Sequence, residues 1–368
     1  MRVALVHDYL NQSGGAEHVV GVFHALFPDA PIFTSVYDRE AMPTFWRALD
    51  VRTTFMQRLS PKLRVAKRLL PLYPYAFESL DLSDYDLVLS SCSTFSKGVI
   101  TPPHTLHVCY CHTTTRFLWM YREYVAHEQL GAMQRVLLPP IITPLRAWDF
   151  QAAQRVDHFV ANSRTTADQI AKFYRRPSVV IEPPVRTADF AGGDGTFDPA
   201  FLVVARLQSY KRIDLAVQAA TRLGKTLLVA GAGPDESRLR SMAGPTVRFL
   251  GRVTNDERVR LLRRCAALIV PGREDFGLST VEALAAGRPV LGYARGGTLE
   301  IVHPGPTGAF FHESTVDALA EAMDAFDPAA YDPQVCRARA AYFDVARFRE
   351  RLCAYLDTLI TARRDAGM

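Results

Sequence analysis

The stretch ALIVPGREDFGLSTVEALAAGRPVLGY, residues 267–293, settles the fold class and introduces the chemistry. An apolar run from Ala267 to Val270 ends in Pro271-Gly272, a helical pattern opens near Gly277, and a second apolar run follows from Pro289 to Tyr293. Two short apolar runs joined through a helix read as parallel strands with a crossover connection. Within the turn, Glu274 and Glu282 bracket Phe276-Gly277. The backbone N–H groups of Gly277, Leu278 and Ser279 open the helix toward solvent, and such unpaired donors suit a diphosphate. Glu274, placed just before the turn, can accept bonds from sugar hydroxyls, and Glu282, one or two turns into the helix, can bridge ribose hydroxyls. The plain alternative is a helix start that carries two surface glutamates.

Outward from this unit the same alternation recurs. One series has strands near Arg2–His7, Ile32–Val36, Asp86–Ser91, Leu106–Cys111 and His158–Ala161, with helices that include Ala16–Phe27 and Arg164–Tyr174. A second has strands near Phe201–Ala205, Thr226–Ala230, Val247–Leu250, Ala267–Val270 and Pro289–Tyr293. Between them, Glu182–Pro199 holds Pro183, Pro184, Gly192, Gly193, Gly195 and Pro199 and reads as a linker. A chain of 368 residues with 48% hydrophobic residues suffices for two cores. The expected class is therefore α/β, with two doubly wound Rossmann-like domains facing a central cleft. The first spans residues 1–183 and binds the acceptor, the second spans 184–343 and binds the nucleotide, and a helix over 344–368 packs back on the first. In open parallel sheets ligands bind beyond the strand C-termini, so polar residues that follow strands are the candidates.

Composition narrows the function classes. No apolar run approaches the roughly 18 residues of a membrane span, and Val3–Val6 starts a strand at once where a signal peptide would have its charged and apolar regions. Six scattered cysteines fit reduced thiols in a cytoplasm. Cys109, Cys111 and His112 form the one cluster with metal-binding residue types, and no metal is expected. The net charge of +5 does not call for nucleic acid. From Val51 to Phe77, however, there is no Asp or Glu, while Arg52, Arg58, Lys62, Arg64, Lys67 and Arg68 interleave with Leu59, Leu63, Ala66 and Leu70 at helical spacing. This basic amphipathic stretch fits the anionic inner leaflet of a membrane, with Leu72–Tyr75 as an interfacial edge, and equally fits a solvated helix on its own core.

Several constellations follow strands. Ser13-Gly14-Gly15-Ala16-Glu17 lets backbone approach a ligand and opens a helix, with Glu17 placed to compensate the helix dipole. Arg206 and Lys211 straddle a strand end and the next helix start, where both cations can neutralise a diphosphate and do the work of a metal, or equally form a solvated surface pair with Arg212 as a third cation. His112 ends the run Leu106–Cys111 and can bond a sugar hydroxyl or a developing charge, although a lone histidine is more often structural. Gly296-Gly297 precedes another helix. Asp84 and Asp86 precede their strand and read as a turn. Gly231-Ala232-Gly233-Pro234 lacks the third glycine of a dinucleotide loop, Glu236 standing in its place.

Taken together, GGAE at Gly14–Glu17, YCHTTTRFLW around His112, ANSRTTADQI from Ala161, ARLQSYKRIDLAVQA from Ala205, FLGRV from Phe249, EDFGLSTVEALAAGRPV from Glu274 and GGTLEIV from Gly296 resemble the retaining family-four glycosyltransferases of GT-B fold. The opening VHDYL and the segment TPPHTLHVCY look closest to bacterial O-antigen and polysaccharide mannosyltransferases that use GDP-mannose. The resemblance implies Glu274 on the donor sugar, Glu282 on ribose, Arg206 and Lys211 on the diphosphate, and backbone at Phe276, Gly277 and Leu278 nearby. It also implies Gly14 and Gly15 at the diphosphate and His112 beside the sugar. Arg273 and Thr280 depart from the family pattern, which commonly has an acidic or small residue and a proline there. The expected activity is transfer of a hexose, mannose by preference, to a glycan or lipid-linked acceptor by a cytoplasmic, peripherally membrane-associated enzyme without cofactor. A transferase of UDP-sugars and a catalytically silent membrane scaffold are the rivals.

Overall fold

The computed structural model describes residues 1–59, 69–121, 132–192 and 196–367. Two units result, one formed by Met1–Glu182 with Arg349–Met368 and one by Pro183–Phe348. In the first, strands β1 (Val3–His7), β2 (Ile32–Thr34), β3 (Val51–Thr53), β4 (Leu87–Cys92), β5 (Leu106–Cys111), β6 (His158–Ala161) and β7 (Ser178–Val180) form a seven-stranded parallel sheet in the order β3-β2-β1-β4-β5-β6-β7. In the second, β8 (Ala200–Val204), β9 (Thr226–Ala230), β10 (Val247–Gly251), β11 (Ala267–Val270), β12 (Val290–Tyr293) and β13 (Gly308–Phe311) form a six-stranded parallel sheet ordered β10-β9-β8-β11-β12-β13. Both orders reverse direction once, between β1 and β4 and between β8 and β11. There the crossovers leave in opposite directions and open a crevice at the strand C-termini.

Central strands are buried on both faces, which is why they are continuous apolar runs rather than alternating ones: every residue of β4, β5 and β11 is buried. The strands that the sequence pattern did not reveal are β3, β7 and β13. All three are sheet edges, three or four residues long, and β3 exposes Arg52 and Thr53. An edge strand needs little apolar surface, so periodicity is weakest there. The same strand corrects the expected helical stretch: Val51–Thr53 is extended, and Arg58 closes a 3₁₀ turn, Phe55–Arg58. Lys62, Arg64, Lys67 and Arg68 lie outside the described residues. The helix expected over Arg164–Tyr174 is α-helical to Gln169 and then widens to a π-turn over Ile170–Tyr174.

Asp84 and Asp86 sit at the N-terminal edge of the first sheet, where Asp86 accepts the Arg2 N–H at 2.6 Å and Asp84 pairs with the Arg2 guanidinium at 3.3 Å. The helix Val345–Asp365 contributes to the first unit from Arg349 on; Arg351 there donates to the Val180 carbonyl at 2.7 Å and pairs with Glu182. Among the described residues, no helix is long and apolar enough to cross a membrane.

Two buried charges shape the loop after β4. The Asp8 carboxylate, which follows β1, accepts backbone N–H groups from Ser93 (2.6 Å), Thr94 (2.9 Å), Phe95 (2.7 Å) and Ser96 (2.7 Å). Burial pushes its carboxyl up, but His7 beside it and the N–H bonds from Ser93, Ser96 and Phe95 hold it below the usual range. Lys97, next in the chain, reaches Asp149 Oδ1 at 2.5 Å; Thr115 Oγ1 (2.8 Å) and Trp119 Nε1 (2.7 Å) complete the carboxylate. The lysine also donates to the Thr94 carbonyl at 2.6 Å and lies 5.3 Å from the Tyr174 ring.

Candidate functional site

In the second unit, the β8–β11 switch point carries the opening motif of the sequence. The loop after β8 runs through Arg206, exposed, into a 3₁₀ turn Ser209–Lys211. Arg212 then adopts a left-handed conformation (φ 53°), which a non-glycine residue holds only when something fixes it. Its guanidinium is fixed by Asp214 (3.2 Å) and Ser314 (2.7 Å). The reversal turns Lys211 toward the loop after β11, where its ammonium donates to Glu274 Oε1 at 2.5 Å. The two side chains are 17% and 16% exposed, so the pair is shielded yet open on one side.

Glu274 is held by its backbone. Its carbonyl accepts the Gly297 N–H at 2.9 Å. A Cβ on Gly297 would stand 2.4 Å from the Phe276 Cα, so the Gly296-Gly297 turn lies flat against residues 274–276 and only glycine allows that approach. Gly277 has φ 102°, a conformation that turns the chain from this loop into the helix Leu278–Ala285, whose first N–H groups lack intrahelical partners. The Phe276 side chain points away into the core and meets Phe343 edge-on at 5.6 Å, so only its backbone faces the site.

Glu282 stands apart from this pair. It is nearly buried, and its Oε1 meets Arg258 Nη1 at 2.9 Å; Arg258 in turn donates to Asn255 Oδ1 at 2.7 Å. Burial pushes the Glu282 carboxyl up, with Arg258 pulling it partly back. The sequence motif placed Glu282 near Glu274 but gave no sign of Arg258, because that contact comes from the separate helix Asn255–Arg264.

In the first unit, the β1–β4 switch point holds Gly14, Gly15 and His112. Gly14 caps the helix Gly15–Leu26. Glu17 does more than offset the helix dipole: its Oε2 accepts the Gly14 N–H at 2.9 Å, and its Oε1 lies 3.8 Å from His7 Nε2. His112, one residue beyond β5, is joined to the same group, since Ser91 Oγ lies 2.7 Å from His112 Nε2 and 3.1 Å from His7 Nδ1. Sequence patterning missed His7 and Ser91 because each lies in the last two residues of an apolar strand and looks like any strand terminus. The registry His7↔Ser91 between β1 and β4 is the signal, and it exists only in the sheet.

Comparison with known proteins finds family matches in both units. Residues 13–189 match the family described as Glycosyltransferase Family 4, and residues 188–327 match Glycosyl transferases group 1. The D-inositol 3-phosphate glycosyltransferase of Mycolicibacterium gilvum is 31% identical over 301 residues, which span 69% of this chain and 67% of that protein. Sucrose-phosphate synthase from Thermosynechococcus elongatus superposes with a TM-score of 0.75 at 18% identity, covering 98% of this chain and 100% of that one. HepE of Anabaena in complex with UDP gives a TM-score of 0.71 at 17% identity, covering 97% and 100%. One family match gives way to the other within a few residues of Pro183, where the structure passes from its first unit to its second, and the chain is thus a glycosyltransferase of family 4 with the two-unit α/β GT-B fold.

Proposed function

We infer that the protein transfers a hexose, mannose from GDP-mannose by preference, to a hydroxyl of a glycan or lipid-linked acceptor with retention at the anomeric carbon. The observation that carries this reading is the Lys211–Glu274 pair at the mouth of the helix Leu278–Ala285. A carboxylate only accepts and an ammonium only donates, so the first suits sugar hydroxyls and the second suits phosphate oxygens. Set side by side, they bracket the bond between sugar and diphosphate. As that bond breaks, negative charge gathers on the phosphate oxygen next to Lys211 and Arg206, and positive charge gathers on the sugar next to Glu274, so the site binds the transition state better than the donor. The departing phosphate oxygen takes the proton of the attacking acceptor hydroxyl on the same face. Glu282 holds the ribose, Gly14 and Gly15 approach the diphosphate, and no metal is required because the two cations supply the charge.

A UDP-sugar donor is the second reading, favoured by HepE, which was crystallised with UDP and with UDP-glucose. For the acceptor, a lipid-linked glycan fits peripheral attachment to the inner leaflet of the cytoplasmic membrane through the basic residues of Arg58–Arg68; among the described residues, Phe45 and Tyr75 are exposed aromatics. The named activity of the curated relatives makes inositol 3-phosphate a necessary control acceptor.

The deciding assay follows nucleoside diphosphate release from GDP-mannose and UDP-glucose, with and without EDTA. Turnover of GDP-mannose that survives the chelator is expected, and Glu274→Ala should lower it by on the order of a thousandfold with the fold intact. Preference for the uridine donor would replace the first reading by the second. Unchanged turnover in Glu274→Ala would remove the site assignment.

A further inference from the structure

Three adjacent parallel strands bring His7 at the end of β1, Ser91 in β4 and His112 just past β5 side by side, and Glu17 reaches them from the first turn of the helix Gly15–Leu26. Elimination fixes the protons. His7 Nδ1 lies 3.0 Å from the Ser91 carbonyl oxygen, which can only accept, so Nδ1 carries hydrogen. Ser91 is fully buried, and a buried hydroxyl gives its proton to an acceptor. Among the described residues its Oγ has two hydrogen-bonding neighbours, His7 Nδ1 at 3.1 Å and His112 Nε2 at 2.7 Å, and the first is already a donor. The serine proton therefore goes to His112 Nε2. An imidazole that accepts there carries its own N–H at Nδ1.

We propose that Glu17, His7 and Ser91 are positioning residues that hold His112 as the neutral Nδ1–H tautomer, so that it offers a hydrogen-bond donor to the hexose or to the oxygen on which charge develops. The role given to His112 presupposes the transferase function proposed above, whereas its tautomer does not, and the tests separate the two. The charged groups that face His7 are Glu17 from the helix and Asp8 beside it in the chain. Burial pushes the His7 imidazole down, but both carboxylates and the Ser91 carbonyl push it up, and the net direction is up. Glu17 moves the opposite way: burial raises its carboxyl, His7 lowers it, and the net direction is down. The Ser91 carbonyl gives the chain its direction, since a His7 Nδ1 that already carries hydrogen can only donate toward the Ser91 hydroxyl. Glu17 also binds the Gly14 N–H, so the glycine loop and His112 are fixed to one another through four side chains.

The test uses the full chain labelled with ¹⁵N-histidine and two-bond ¹H–¹⁵N spectra at neutral pH, with His112 assigned through its disappearance in His112→Gln. In the wild type, His112 should show an unprotonated Nε2 and a protonated Nδ1, and His7 should show a protonated Nδ1. Ser91→Ala removes one oxygen from a buried position that keeps its backbone bond to His7; it should shift His112 toward the Nε2–H tautomer. The same variant should lower kcat on the order of tenfold, about what one hydrogen bond is worth, with the donor KM within about twofold. A wild-type His112 protonated at Nε2, or a tautomer indifferent to Ser91→Ala, overturns the relay even if Ser91→Ala folds poorly. The predicted tautomer in a protein that turns over no nucleotide sugar would leave the relay standing and defeat the transferase reading of His112.

Discussion

Among the described residues, two lysines donate to a carboxylate oxygen at 2.5 Å, Lys97 to Asp149 Oδ1 and Lys211 to Glu274 Oε1, in different surroundings. Lys97 and Asp149 in the first unit are 1% and 0% exposed, and a hydroxyl, an indole N–H and a backbone carbonyl saturate them. Lys211 and Glu274 in the second unit are 17% and 16% exposed and lie at a strand-end crevice. Desolvation makes the difference. A fully enclosed pair survives only if its remaining hydrogen-bonding capacity is met inside the protein, and once met it fixes a loop. A pair open on one side keeps capacity that a ligand can use. Distance alone would not separate the enclosed pair from the one proposed to bind the donor.

The sharpest way to break this comparison is to neutralise each lysine. Lys97→Met strands a buried carboxylate and should cost about 4 kcal/mol of stability in urea unfolding, most of which should return when Asp149 is also replaced by an apolar residue. Equal stability of the single variant and the wild type would show that the enclosed pair does not hold the loop. Lys211→Ala should instead lower turnover by about 10²–10³-fold, worth roughly 3–4 kcal/mol of transition-state stabilisation, while unfolding shifts by about 1 kcal/mol or less. A large loss of stability with turnover retained would exchange the roles of the two pairs.

A pH series sharpens the contrast further, because the first sheet also buries His107. Burial pushes its imidazole down to about 4, against the upward pull of Asp157, and its Nε2 lies 2.8 Å from Ser90 Oγ. The folded value lies below the unfolded one, so the stabilisation is complete above about pH 6.5 and is lost as pH falls toward 4, on the order of 3 kcal/mol in all. His107→Gln should flatten that limb of the stability profile; an unchanged slope would assign the acid sensitivity to other groups. His7 works in the opposite sense, since its raised value contributes below about pH 6.5 and fades as pH rises past its folded value. The smallest effect belongs to Thr280, whose buried Oγ1 has no hydrogen-bond partner among the described residues. Thr280→Val keeps the shape and removes the stranded hydroxyl, and thermal unfolding should show a gain of about 1 kcal/mol.

Much of the architecture was legible because parallel strands buried on both faces must be apolar throughout. Leu106–Cys111, Thr226–Ala230 and Ala267–Val270 announced themselves, as did the glycine turn at Gly277. The edges β3, β7 and β13 did not, since an edge of three or four residues needs neither a long run nor a regular alternation. For the candidate site, chemistry-bearing residue types after strand ends were visible in Glu274, Lys211 and His112. Their partners were not. Glu282 meets Arg258 from another helix, and His112 meets Ser91 across a strand register, neither of which a linear pattern encodes.

The sequence by itself determined the family, the alternation of strand and helix and the residue types available for binding a nucleotide sugar, because those depend on local propensity, apolar periodicity and order along the chain. Tertiary structure alone decided which carboxylate takes which cation, which lysine is sealed and which is open, and which nitrogen of His112 carries its proton. Those properties depend on solvent exclusion and on contacts between segments such as Lys97 and Asp149, 52 residues apart, and Lys211 and Glu274, 63 apart, that only the folded sheets bring together.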